Sequence, residues 1–99
     1  MDQQRRARRG RPKVPWDPFD DELHRRFTTG EASDTLESEA RYLANWGAIN
    51  NIRVPGDSEP IKKGRIRERI RKRHGGAARY KEVRQHHIRE LIRKAQNAD

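Results

Sequence analysis

Apolar residues are scarce in this chain, and their spacing therefore constrains which fold it can adopt. They make up 30% of the 99 residues, whereas charged residues make up 39%. Four segments repeat apolar residues every three or four positions, the spacing that places side chains on one face of an α-helix. The pattern predicts a small all-α fold, a bundle of about four helices at roughly residues 18–28, 35–46, 60–73 and 78–96.

Residues with strong preferences at helix ends set the boundaries of these segments. Three candidate helix starts combine a capping side chain with proline or glutamate: Asp17-Pro18, Asp34 with Glu37, and Ser58-Glu59-Pro60. Three glycine positions are candidate helix ends: Gly30, Gly47 and Gly75-Gly76.

The apolar stripes also indicate how the helices pack. We expect Leu43 and Trp46 of the second helix to meet Ile66 and Ile70 of the third. The stripe of the fourth helix is narrow, and such a helix needs a partner. It either completes the monomer core or pairs with a second copy of the chain. In the second case a homodimer would form through Ile88, Leu91 and Ile92.

The charges of the chain are separated into blocks. Residues 61–74 contain eight Lys or Arg against one Glu, and a second basic block runs from Arg5 to Lys13. Residues 17–46 contain eight acids against three bases, and we expect these acids to contact the basic parts of the fold. The net charge of +9 therefore lies in two basic blocks, which need a polyanion such as nucleic acid. We expect a disordered basic arm at residues 1–15 and a helical nucleic-acid-binding domain at 16–99.

The basic arm contains the tetrapeptide Arg9-Gly10-Arg11-Pro12, followed by Lys13. It resembles the core of an AT-hook, and also the basic leader of many bacterial helix-turn-helix regulators. The AT-hook resemblance implies that Arg9 and Arg11 insert into the minor groove of A·T-rich DNA, with Arg8 and Lys13 near phosphates. The alternative is a nonspecific basic tail.

The third helix is the second candidate nucleic-acid-binding element. An acidic helix followed by a basic one resembles a helix-turn-helix unit, although the connection between them is longer than the usual turn. By that resemblance the third helix enters the major groove. Its candidate contact residues are Lys62, Lys63, Arg65, Arg67, Arg71 and Lys72. The alternative is a solvated basic helix that binds any polyanion.

The sequence contains no motif typical of catalysis or metal binding. The chain has no cysteine, and its adjacent histidines, His86 and His87, would point about 100° apart on a helix. It has no nucleophile elbow or phosphate-binding glycine loop. No apolar run approaches the ~20 residues that span a membrane. We therefore expect no enzyme activity, no metal, no cofactor and no membrane insertion.

Together these features predict a cytoplasmic, nucleoid-associated DNA-binding protein. It would be a transcriptional regulator or an architectural accessory factor of bacterial or mobile-element type. The basic helix would contact the major groove, and the arm would lie in the adjacent minor groove. Two alternatives stay open: an RNA-binding or ribosome-associated protein, and an adaptor that binds an acidic protein partner.

Overall fold

The computed structural model describes residues 13–97, and within them the chain forms four α-helices. They are α1 (Trp16–Thr29), α2 (Leu36–Ile49), α3 (Lys63–His74) and α4 (Ala77–Gln96). The described residues contain no strand, so the predicted all-α fold of about four helices is confirmed. Most of the predicted basic arm, residues 1–12, lies outside the described residues.

α1 lies close to its predicted position. The helix has no side-chain cap, and Asp17 lies in its first turn rather than at the cap position. Gly30 ends the helix with a φ of 80°, a left-handed conformation that glycine adopts without strain. The backbone N–H groups of Glu31 and Ala32 both donate to the carbonyl of Arg26. The chain therefore turns sharply into the loop that joins α1 to α2.

Two predicted boundaries of α2 are wrong. Thr35, rather than Asp34, caps the helix, because its hydroxyl accepts a hydrogen bond of 3.1 Å from the backbone N–H of Ser38. Gly47 does not end the helix, which continues beyond it. A Cβ at Gly47 would lie 2.6 Å from the ring of Phe19. This glycine therefore serves the close approach of α1 to α2 rather than the end of α2.

The predicted start of α3 at residues 58–60 is also wrong, since the helix begins at Lys63. The chain from Pro60 to Lys62 is not helical, and Lys62 is extended, with a φ of −75° and a ψ of 150°. The side chain of Ile61, in this segment, lies in the core and is 6% exposed.

The core is built from apolar side chains of all four helices and of the segments between them. α2 and α3 make the most extensive contact. Leu43, Ile66 and Ile70 are each at most 2% exposed, as the sequence predicts. Trp46 is only partly buried, and its ring packs edge-on against Phe19 with the ring centres 5.7 Å apart. The other buried apolar residues are Val14, Phe19, Leu23, Phe27, Ala32, Leu36, Ala40, Ile61 and Tyr80.

A buried ion pair joins α1 to α2, and no sequence pattern predicted it. The side chains of Arg26 and Glu39 are 8% and 0% exposed. Nε and Nη2 of Arg26 donate to the two carboxylate oxygens at 2.6 and 3.0 Å, and the backbone N–H of Ser33 donates to the same carboxylate at 2.8 Å. The guanidinium also lies 3.6 Å from the centre of the Tyr42 ring. Burial opposes the charge on Arg26, but the hydrogen bonds that Arg26 donates to Glu39 prevail and raise the pKa of Arg26.

α4 attaches to the α1–α2 loop through polar contacts. The buried Tyr80 donates its hydroxyl proton to the carbonyl of Ser33 at 2.7 Å. Nε of Arg84 donates to the carbonyl of Ala32 at 3.0 Å, and its Nη2 lies 2.8 Å from the carboxylate of Asp34. The same loop therefore contacts α1, α2 and α4.

Truncation of the core at the α2–α3 contact is expected to destabilise the fold strongly. Leu43→Ala and Ile70→Ala should each lower the free energy of unfolding by about 2–5 kcal/mol, because each leaves a cavity in a packed interior. Urea denaturation followed by circular dichroism measures the change. Ile92→Ala is the matched control, since Ile92 is 52% exposed. A loss in the control as large as that in Ile70→Ala would contradict these packing faces.

Removal of the negative charge from the buried pair is expected to destabilise the fold by a different mechanism. Glu39→Gln should lower the free energy of unfolding by about 3–5 kcal/mol, since Arg26 would keep a buried charge without a counterion. Glu82→Gln is the matched control, because its partner Arg79 and Glu82 itself are both exposed. Equal unfolding curves for the wild type and Glu39→Gln would show that the pair adds nothing to stability.

Candidate nucleic-acid interface

The buried face of α3 determines which of its charged side chains point away from the fold. Ile66 and Ile70 pack into the core. At about 100° per residue, Glu68 lies roughly 160–200° from both isoleucines, in the centre of the opposite side. Three cations lie within about 60° of Glu68. We call these four side chains the outward face of α3: Arg65, Glu68, Arg71 and Lys72.

One flank of α3 is paired with α2. Nζ of Lys63 lies 2.7 Å from Glu37, and Nη1 of Arg67 lies 3.4 Å from the same carboxylate. The hydrogen bond from Lys63 is the main reason why the pKa of Glu37 is lowered. Lys63 and Arg67 are predicted contact residues, and the structure places both at the border with α2 rather than on the outward face.

The other flank of α3 is paired with α1. Arg69 donates to both carboxylate oxygens of Asp20 at 2.5 and 3.2 Å, and Arg73 lies 3.6 Å from Asp20. The hydrogen bond with Asp20 raises the pKa of Arg69. The Arg69 guanidinium also lies 5.5 Å from the centre of the Trp16 ring. The expectation that acids of the first two helices contact the basic parts of the fold is therefore confirmed on both flanks.

The outward face carries cations that no acid of another helix holds. Arg65 and Lys72 are exposed, and neither forms an ion pair within residues 13–97. Arg71 is exposed and lies 3.7 Å from Glu68 of the same helix. Lys62, which precedes α3, is exposed as well. Four of the six contact residues predicted on the third helix therefore face solvent.

A groove runs beside the outward face, between α3 and the start of α1. Its volume is about 510 Å³. Its lining combines one indole ring with charged side chains of α3: Trp16, Gly64, Arg65, Glu68, Arg69 and Lys72. The ring of Trp16 is only partly buried and forms one wall of this groove.

The basic arm joins the fold beside this groove. Arg8, Arg9 and Arg11, the other predicted contacts of the arm, lie outside the described residues. Lys13 is exposed, and the buried side chain of Val14 anchors the chain just before the groove. Because Trp16 follows closely and lines the groove, the segment that leads to the arm starts next to the outward face of α3.

α4 adds a cation that sequence reasoning missed. A second groove, of about 430 Å³, brings Lys81 together with Arg67 and Arg71. The chain turns between α3 and α4 at Gly75 and Gly76, which have φ angles of 81° and 108°, and this turn brings Lys81 close to α3. The proximity of Lys81 depends on this turn geometry, so no local pattern around Lys81 could indicate it.

Two histidines pack against the ring of Phe27, and a third packs against one of these two. The rings of His74 and His87 lie 5.4 Å from the ring of Phe27, and His24 lies 6.4 Å from His87. Burial lowers the pKa of both His74 and His87. Within residues 13–97, no group of three or more His, Asp or Glu side chains is placed to hold a metal ion.

The apolar stripe of α4 is partly covered by the end of α1. The side chain of Leu91 lies against Gly30, whereas Ile92 is 52% exposed and Ile88 is partly buried. The homodimer through Ile88, Leu91 and Ile92 stays a prediction. None of the helices in residues 13–97 has the length and apolar character needed to cross a bilayer.

Comparison of the chain with protein-family models, curated proteins and solved structures found no match. A function is therefore proposed from the charge and geometry of the residues themselves.

Proposed function

We propose that this chain binds duplex DNA through the outward face of α3. Its role would be that of a nucleoid-associated regulator or architectural accessory factor of bacterial or mobile-element type. The observation that carries the proposal is the division of cations on α3. Those on the flanks are paired with Asp20 and Glu37, whereas Arg65 and Lys72 have no acidic partner among the described residues.

The unpaired cations are the ones that would gain most from a polyanion. A cation that neutralises a phosphate releases counterions from the duplex, and this release drives the association. A cation already paired with a carboxylate must break that pair first. Arg65, Lys72 and Lys62 are therefore the side chains expected to supply most of the affinity. Arg71 would contribute less, because it lies 3.7 Å from Glu68 of the same helix.

The position of α3 suits a helix that enters the major groove. Ion pairs on both flanks and two buried isoleucines on the inner side fix its orientation. One full side then projects from the fold, and the major groove of B-DNA admits a single α-helix. The connection at residues 50–62 is longer than the turn of a helix-turn-helix unit. The proposed resemblance to that unit is therefore limited to the role of the basic helix and does not include the turn.

The arm would contact the same duplex. Because its root lies beside the groove at Trp16, residues 1–12 would extend from the edge of the outward face. Arg9 and Arg11 would then reach the adjacent minor groove, as homeodomain arms do, with Arg8 and Lys13 near phosphates.

Neutralisation of two outward cations is expected to weaken DNA binding. In the double variant Arg65→Gln/Lys72→Gln, the slope of log K against log salt should become shallower by about 0.9 for each phosphate that the variant no longer neutralises. Fluorescence anisotropy on a duplex of fixed sequence, at several salt concentrations, measures both affinity and slope.

The matched control removes the same charge from another surface. Arg89→Gln/Lys94→Gln changes two exposed cations of α4 that form no ion pair within residues 13–97. Equal losses of affinity in both double variants would show that affinity depends on the net charge of the protein and not on the outward face of α3.

Tighter binding of duplex RNA than of duplex DNA would favour the RNA-binding alternative. Retention of an acidic protein partner at high salt would favour the adaptor.

Removal of the arm is expected to change sequence preference more than folding. Deletion of residues 1–12 keeps the buried Val14, so thermal unfolding should not change. Affinity should fall more on A·T-rich than on G·C-rich duplexes, since Arg9 and Arg11 would read the narrow minor groove. The full-length variant Arg9→Ala/Arg11→Ala should reproduce this difference. An equal loss of affinity on both duplexes would show that the arm acts as a nonspecific basic tail.

A further inference from the structure

The centre of the outward face is occupied by an acid. Glu68 is the only acidic residue between residues 61 and 74. Its side chain is 60% exposed, and it lies on the side of α3 opposite Ile66 and Ile70. The position that would project furthest toward a ligand therefore carries a charge that repels phosphate.

The fold itself does not explain this carboxylate. Its nearest cationic partner is Arg71, at 3.7 Å on the same helix, and both side chains are more than half exposed. An exposed pair of this kind adds little to stability. Within residues 13–97, Glu68 forms no ion pair with another helix, in contrast to Asp20 and Glu37, which hold α3 in place. A surface that only attracted phosphates would be better served by a neutral or cationic residue here.

The space in front of Glu68 is open. Gly64 lies one turn earlier on the same side of α3, and a Cβ placed there would meet no atom within 4 Å. Gly64 is the second residue of α3, and its lack of a side chain leaves this space unfilled. Gly64 and Glu68 line the same groove. A flat group such as a base edge can thus approach the carboxylate closely.

We propose that Glu68 is a specificity-determining residue that accepts a hydrogen bond from the N4 amino group of a cytosine in the major groove. This inference rests on the proposed function. An ionised carboxylate has acceptors only. Guanine and thymine present acceptors in the major groove, and adenine presents its amino donor next to the N7 acceptor. Cytosine presents an amino donor there without an adjacent ring acceptor, so it is the base that a carboxylate tolerates best.

The cations around Glu68 fit this arrangement. Arg65, Arg71 and Lys72 surround the carboxylate at the edges of the outward face. When the centre of a helix faces the base edges, its lateral side chains face the groove walls, where the phosphates lie. Glu68 would therefore discriminate between bases, while its neighbours offset the repulsion between its charge and the backbone.

The test begins with the full-length protein and a pool of duplexes with a randomised centre. Selected duplexes should contain a C·G pair at one fixed position. In anisotropy measurements, replacement of that pair by A·T should weaken wild-type binding by about fivefold or more, the lower end expected for a specific base contact. Glu68→Ala should lose this discrimination and bind unrelated duplexes more tightly. Glu68→Gln should shift the preference toward A·T, because an amide can pair with both N6 and N7 of adenine.

Glu82→Gln is the matched control, since Glu82 is equally exposed and forms the same type of pair with Arg79 on α4. It should keep the wild-type preference. Circular dichroism should show the same helix content in all variants. Wild-type binding with a sequence preference that Glu68→Ala retains would overturn the inference while the proposed function stands. Wild-type binding without any sequence preference would also overturn the inference and leave the proposed function standing. No binding to any duplex would overturn both.

Discussion

The buried pair of Arg26 and Glu39 is the interaction on which the arrangement of the other helices depends. It joins α1 to α2 inside the core, and its carboxylate also orders the backbone at Ser33. The carbonyls of that loop then accept hydrogen bonds from Tyr80 and Arg84 of α4. Loss of either charge would leave the other buried and unpaired, so the loop and the three helices are held in one geometry. A small apolar core thus gains a well-defined packing.

A second constraint orients the basic helix. Apolar contacts alone leave α3 free to rotate slightly about its own axis, because two isoleucines specify a narrow stripe. Asp20 from α1 and Glu37 from α2 hold cations on opposite flanks of that stripe. The pair of Lys63 and Glu37 is half-exposed and weak by itself, whereas the pair of Arg69 and Asp20 is more buried. Because the two pairs lie on opposite sides of α3, they oppose rotation in both directions. The acidic block of the sequence therefore sets the direction in which the remaining cations point.

Periodicity was sufficient to predict the four helices and the α2–α3 contact, since both depend on local spacing of apolar residues. The helix end predicted at Gly47 was wrong, because only the fold shows that this glycine makes room for the ring of Phe19. The helix start predicted at residues 58–60 was also wrong, because Ile61 is buried in a non-helical segment that precedes Lys63.

The sequence predicts that positive charge is concentrated in the candidate site, but it does not predict which side chains form the exposed surface. The sequence shows that α3 is basic, yet it cannot show which cations are already paired. Arg69 and Asp20 are 49 residues apart in the chain, and only the tertiary fold brings them together. The same holds for Lys81, which joins Arg67 and Arg71 through the turn before α4. The sequence likewise gives no reason to expect Trp16 beside the basic helix, since a large aromatic ring in a chain with few apolar residues is usually buried.

The carboxylates near α3 occupy two kinds of position, on the neighbouring helices and on α3 itself, and the two kinds act on α3 in different ways. Asp20 and Glu37 lie on neighbouring helices, where their attraction to α3 acts within the fold and is present with or without a ligand. Glu68 lies on α3 itself and faces solvent, so its charge matters mainly when something approaches. Against a phosphate backbone alone it would lower the affinity of the proposed complex by the same amount for every sequence. Only a donor group at a fixed place can reverse the sign of its contribution, and that dependence on sequence is what separates selective binding from general attraction to a polyanion.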